Sequence, residues 1–160
     1  CSSLKCRRAS CYTRRVLMSR VFKDCLDKKK LYRSDSAKVL AGKEFKSATD
    51  DLADAEMSLS QKRYKWATIQ AYYAMFHAAR AMLYSRGYRE RSHFCVVAGV
   101  EHLFGETKMI DLTWVRALKN AMSLREDADY SDAYSPDGAE TSIQNAKGFL
   151  QEAKRILEGA

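Results

Sequence analysis

The stretch from Tyr64 to Ser85, YKWATIQAYYAMFHAARAMLYS, holds neither Gly nor Pro, and Trp66, Ile69, Tyr72, Tyr73, Met75, Phe76, Met82 and Leu83 spread apolar surface over several of its faces. A helix that is apolar nearly all round has to be enclosed by other elements. The segment therefore reads as the central helix of a bundle, and the rest of the chain must supply its neighbours. Only Pro136 and seven glycines punctuate the 160 residues, so the breakers that sandwiches and barrels need are nearly absent. A chain of this length can enclose such a helix as one domain, burying roughly two-thirds of the surface its unfolded form exposes.

The neighbours are readable from their periods. After the polar group Ser34, Asp35 and Ser36, which offers an N-cap, Val39, Leu40, Phe45, Ala48, Leu52, Ala55 and Leu59 continue a helical spacing, and a change of apolar phase puts a turn near Gln61 to Arg63. Gly87 ends the central helix, and the polar run Tyr88 to Ser92 turns the chain into a helix from about His93 to Phe104, closed by Gly105. Thr107 to Leu124 forms the next. Ser135 as N-cap and Pro136 at the first helical position open the last, where Ile143, Ala146, Phe149, Leu150, Ala153, Ile156 and Leu157 keep strict spacing. A shorter stripe, Leu17, Val21, Phe22, Cys25 and Leu26, marks an arm or lid near the start. The expected fold is all-α, an antiparallel up-and-down bundle of four to five helices.

Charged side chains interrupt every apolar run before the ~18 residues a membrane span requires. The formal net charge of +8 is unevenly placed: Lys5, Arg7, Arg8, Arg14 and Arg15 precede Met18 with no acid among them, and without those five the +8 falls to +3, a balance that also allows a structural helical adaptor with no nucleic-acid role. Residues 1–17 thus form a basic extension, read either as a non-native or disordered lead before a start at Met18 or as an arm for RNA or an acidic partner; residues 18–160 form the bundle. Cys1, Cys6 and Cys11 follow a C-x4-C-x4-C spacing that matches no common zinc pattern and has no nearby histidine, so neither metal nor cofactor is expected. Cys25 and Cys95 sit in apolar contexts as small free hydrophobes, and the odd cysteine total argues for a reducing, cytoplasmic setting.

The segment AYYAMFHAARAMLYSRGYRERSHF, Ala71 to Phe94, resembles the signature of short prokaryotic and archaeal proteins of the HEPN family (higher eukaryotes and prokaryotes nucleotide-binding). LREDADY, Leu124 to Tyr130, is similar to that family's penultimate-helix ending, and Ile143 to Ile156 to its closing helix. The resemblance implies a helical bundle, commonly homodimeric, paired with a minimal nucleotidyltransferase as the toxin half of a toxin–antitoxin couple. It also implies RNA or nucleotide binding, and in many members metal-independent RNA cleavage by an Arg-x(4-6)-His motif shared across a dimer.

The candidate site follows from that motif. Arg125 stands at its arginine position, where a planar guanidinium would brace a phosphate, but Tyr130 occupies the place of the histidine, and a phenol with pKa ~10 is a poor base near neutrality. Asp127 and Asp129 oppose an incoming phosphate unless they pair with Arg125. A second constellation, Arg86, Tyr88, Arg89 and Arg91 on the turn before His93, combines cations, an aromatic platform and a group that titrates near neutrality. Arg125, Tyr130 and His93 are the catalytic candidates, and Arg86, Arg89, Arg91, His93, Arg125 and Tyr88 the RNA- or nucleotide-binding ones. His77, Tyr73 and Arg80 are expected to share one face of the central helix; Tyr72 and Tyr73 are expected to pack in the core.

Overall fold

The structure is a computed structural model, described here for residues 20–159; the basic extension, Cys1, Cys6, Cys11 and Met18 lie outside those residues. Helix α1 covers residues 20–27, and a three-residue strand β1, Leu31–Arg33, follows. A 3-10 turn, Asp35–Leu40, leads into α2, Ala41–Ser60. Then come α3, Tyr64–Ser85, strand β2, Tyr88–Glu90, and α4, His93–Val100, which continues as a π-helical segment, Glu101–Gly105. Helices α5, Leu112–Tyr130, and α6, Pro136–Glu158, complete the chain. The fold is an all-α bundle with a two-stranded ribbon attached.

Helix α3 occupies the centre, contacted by α2, α4, α5 and α6. Ala67, Ala71, Ala74, Ala78 and Ala81 are fully buried along it, and Ala41, Ala48 and Ala55 are buried along α2 at seven-residue intervals. Side chains this small let the two helices, joined by a three-residue turn, run antiparallel in close contact. Tyr72, Met75, Met82, Leu83, Tyr84, Phe104 and Phe149 fill the remaining space. Burying a large apolar side chain is worth roughly 1.5–3 kcal/mol, so this layer dominates the stability of the bundle. Both expected caps on α6 are present: Ser135 accepts from Gly138 N–H at 2.9 Å and Pro136 takes the first turn.

Several boundaries differ from those the periods suggest. Helix α5 starts at Leu112, capped by Asp111, whose side chain accepts from Thr113 N–H at 2.8 Å, and runs on through LREDADY to Tyr130. The turn expected near Gln61 to Arg63 is present, and like several other tight turns it is made by a residue other than glycine: Lys29, Lys62, Lys108 and Asp132 all adopt positive φ, a conformation that costs an L-residue roughly 1–2 kcal/mol. Gly87, at φ +75°, is the one turn where glycine does this work. Val39 is 84% exposed because the 3-10 turn shifts it out of phase with α2; Trp66, read as part of the enclosed central helix, is 46% exposed, and Phe94 is 59% exposed.

The region read as a plain turn, Tyr88 to Ser92, instead pairs with Leu31–Arg33 as an antiparallel ribbon in the register Leu31↔Glu90, Tyr32↔Arg89 and Arg33↔Tyr88. Cys25 and Cys95 are joined in a disulfide rather than free. The pairing is possible because α1 lies against α4, which sequence spacing does not show, and cysteine usage therefore no longer argues for a reducing compartment. No helix among the described residues is long and apolar enough to cross a membrane.

Candidate functional site

The candidates fall into three places, and only two of them meet. Arg125 and His93, which sequence reasoning put in separate constellations, converge from α5 and from the start of α4 on the same ring, Tyr72 of α3. Ser92, in extended conformation, places His93 at the first position of α4. The His93 ring stacks on Phe76, centroids 4.2 Å apart, and its Nδ1 lies 2.8 Å from the Tyr72 hydroxyl. From the other side the Arg125 guanidinium covers the Tyr72 and Tyr73 rings at 5.7 and 5.6 Å, and its Nη2 donates to the Tyr73 hydroxyl at 3.0 Å.

The electrostatics of this group follow from its burial. Tyr72 is 1% exposed, and burial pushes its phenol up to about 12, against a smaller opposing pull from Arg125. Tyr72 is thus a neutral hydroxyl throughout the physiological range. Burial, with the positive charges of Arg125 and Arg80 adding to it, holds His93 below its ordinary value, so its imidazole is neutral at pH 7. The tautomer decides what His93 offers. With the proton on Nε2, Tyr72 O–H donates to Nδ1; with it on Nδ1, that N–H donates to the phenol and Nε2 becomes an open acceptor, the form a general base requires.

Arg125 is held but incompletely satisfied. Its Nε lies 3.4 Å from Asp129 Oδ2 across one helical turn; that is close enough for an ion pair, but the N–H is not aimed at the carboxylate, and this buried nitrogen has no hydrogen-bond partner among the described residues. A buried guanidinium N–H without an acceptor is costly, and an anion arriving there would relieve it. Asp127 does not join the pair; its backbone carbonyl takes the N–H groups of Ser131 and Ala133 that end the helix.

Behind Phe76 the network continues. Arg80 lies over Phe76 at 5.6 Å, donates to the Tyr84 hydroxyl at 2.7 Å and approaches Glu90 at 2.8 Å and Glu44 at 3.4 Å. His77 touches the same Glu44 oxygen with Nδ1 at 2.8 Å. Tyr73, His77 and Arg80 thus share one face, as their spacing requires, but this face is held by acids of α2 and β2 rather than open. Burial raises the carboxyl of Glu90, opposed by Arg80.

The other candidates lie elsewhere. Tyr130 is 80% exposed and shares no hydrogen bond with Arg125 among the described residues. Arg86 stacks on Phe104 at 5.0 Å and donates to Met109 Sδ. Arg89, Arg91 and Tyr88 belong to the ribbon. Tyr72, Phe76 and Arg80 were missed as site residues; their i, i+4, i+8 spacing on α3 was the available signal, masked by the apolar character of the whole helix.

Comparisons with known proteins give a consistent picture. A family model described as HEPN domain matches residues 43–158. A protein of Methanocaldococcus jannaschii whose name carries the word toxin is 31% identical over 116 residues, 69% of this chain and 84% of its own length. A UPF0332 protein of Archaeoglobus fulgidus is 33% identical over 65% of this chain and 84% of its own, and another from Thermotoga maritima is 25% identical over 69% and 86%.

Proposed function

The chain belongs to the HEPN domain family, and from that premise we propose that it is a toxin-like module that binds RNA or a nucleotide at the Arg125–Tyr72–His93 site and acts as a homodimer with a nucleotidyltransferase partner. The observation that carries this reading is the convergence of Arg125 and His93 on Tyr72. A guanidinium with an unused buried N–H beside a neutral imidazole, flanked by aromatic rings, suits a phosphate and the base or sugar attached to it. The name of the Methanocaldococcus relative supports the toxin-like role. The missing motif histidine, replaced by the exposed Tyr130, favours binding over turnover.

A second reading, metal-independent RNA cleavage, is favoured by one specific feature: His93 is neutral at pH 7 and reaches a tautomer with an open Nε2. General acid–base help of that kind is worth ~10²–10⁴ in rate. Labelled single-stranded RNA incubated in excess chelator with wild type, His93→Ala and Arg125→Ala separates the two. A charge-assisted contact is worth roughly 1.5–3 kcal/mol, so Arg125→Ala is expected to weaken binding about ten- to a hundredfold, with cleavage weak or absent throughout. Robust cleavage by wild type that vanishes in His93→Ala establishes the enzyme, and wild-type protein that binds neither RNA nor mononucleotide defeats both readings.

A further inference from the structure

A phosphate chain needs an unneutralised positive surface, and Arg125 supplies little of one because Asp129 stands beside it. The unpaired charge lies next door. Arg33, Arg89 and Arg91 on the β1–β2 ribbon have no carboxylate within ion-pair distance among the described residues, whereas Arg80, Arg125 and Arg155 each do. The one acid of β2, Glu90, is turned inward with its side chain 8% exposed and spent on Arg80. What the ribbon shows outward is therefore cationic.

The same ribbon carries aromatic faces matched to those cations. The Arg33 guanidinium lies 5.0 Å from the Tyr88 ring and donates to its hydroxyl at 3.0 Å. That of Arg91 lies 4.9 Å from the Tyr32 ring, and Arg89 covers Tyr84 at 5.5 Å. In this arrangement each tyrosine orients its arginine, so the fork is presented to solvent with less entropy left to lose on binding. Tyr32 and Tyr88 are half-buried and Lys30 is exposed. The backbone pairing extends through Arg91 N–H to Lys30 O at 2.8 Å, so the rigid track ends two residues from His93, within ~7 Å of chain.

We propose that the face of the β1–β2 ribbon shared by Tyr32, Arg89 and Arg91, opposite the inward Leu31 and Glu90, is the track on which single-stranded RNA is held, with phosphates on Arg89 and Arg91 and a base against Tyr32, leading the strand to His93. Interleaved arginine and tyrosine on an extended ribbon fit an unpaired strand, whose bases are free to stack, better than a duplex, whose bases are not. The inference rests on the RNA-binding reading of the Arg125–His93 site and adds the surface that reading lacks.

The test uses the full chain and a fluorescein-labelled uridine oligonucleotide of about 16 nucleotides, with anisotropy measured over a range of salt. The double variant Arg89→Gln/Arg91→Gln is expected to bind at least about tenfold more weakly and to flatten the log–log salt slope by about 1.4, since each lost contact to a single strand removes ~0.7. Oligonucleotides carrying 4-thiouridine are expected to photocrosslink in wild type to the peptide holding Tyr32, which decides the matter even if the double variant loses its helical circular dichroism. Wild-type affinity and slope in a folded double variant, with binding lost in Arg125→Ala, overturn the ribbon and leave the site reading standing. No binding by wild type at low salt removes the site reading and the ribbon with it. Equal binding and equal loss with DNA of the same length, or equal displacement by polyglutamate, overturn the assignment to RNA.

Discussion

At the scale of single residues, His93 is the group whose chemistry depends most on where the fold puts it. Its folded-state value lies below the ordinary 6.5 because of burial first and of Arg125 next. Two outcomes follow. In a proton NMR titration the His93 ring is expected to titrate below 6.5, and Arg125→Ala should move it upward by removing a neighbouring cation; an unchanged value would break the link between the two residues. On stability, the unfolded chain takes up the His93 proton at a higher pH than the folded one. The stabilisation is therefore complete above about 6.5 and lost as pH falls through the depressed value. Urea midpoints of wild type are thus expected to drop on acidification below 6.5 more steeply than those of His93→Gln. Tyr130→His, which restores the family's residue, should leave binding by an isolated chain unaltered, since the side chain at 130 is 80% exposed and shares no hydrogen bond with Tyr72, His93 or Arg125 among the described residues.

At the scale of elements, the close approach of α5 and α6 is made possible by a missing side chain. A Cβ on Gly148 would collide with the six-membered ring of Trp114, reaching Cζ3 at 2.6 Å. Gly148→Ala gains up to ~1 kcal/mol of helix propensity, but overpacking of this kind costs about 1–3 kcal/mol, so the melting temperature should fall. In a Trp114→Leu background the same change should raise it; stabilisation in both backgrounds would show that the two helices do not meet there. Helix α1 is tied to α4 by the Cys25–Cys95 disulfide across a sequence separation of 70. Closing a loop of that length restricts the unfolded chain by roughly 4 kcal/mol in the chain-entropy description, so Cys95→Ser is expected to lower the unfolding free energy by up to about that much under oxidising conditions.

At the scale of the whole molecule, the homodimer that the family resemblance implies would need an apolar face to join two copies. The central helix is covered by its own neighbours, with Trp66 as its exposed large apolar residue. An open apolar groove of about 470 Å³ has Val21, Phe94, Val97 and Met122 among its walls, Phe94 being the residue after His93. Phe94 is 59% exposed and stands at its rim. Under the proposed dimer, a face of this kind is where two copies would meet. Static light scattering at micromolar concentration should report a dimer, and Phe94→Ser should shift it to monomer with the helical spectrum intact. A wild-type monomer would remove any mechanism that draws groups from two copies.

Much of this protein is determined locally. The helical class, the central position of Tyr64 to Ser85, the Ser135–Pro136 start of α6 and the inward stripe from Ile143 to Ile156 all follow from period and capping, which act over a few residues. The family resemblance likewise rests on contiguous segments. The site does not, because its parts lie far apart in the chain: Arg125 and His93 meet only because α5 and α4 both pack on α3, and the ring they share, Tyr72, carries the same apolar signature as its core neighbours. The ribbon was unreadable for a related reason. Its strands are separated by α2 and α3, so no hairpin turn announces them, and each is too short to show an alternating pattern. The turns made by Lys29 and Lys108 hid in the same way, since lysine gives no sign of a positive φ until the packed elements on either side impose it.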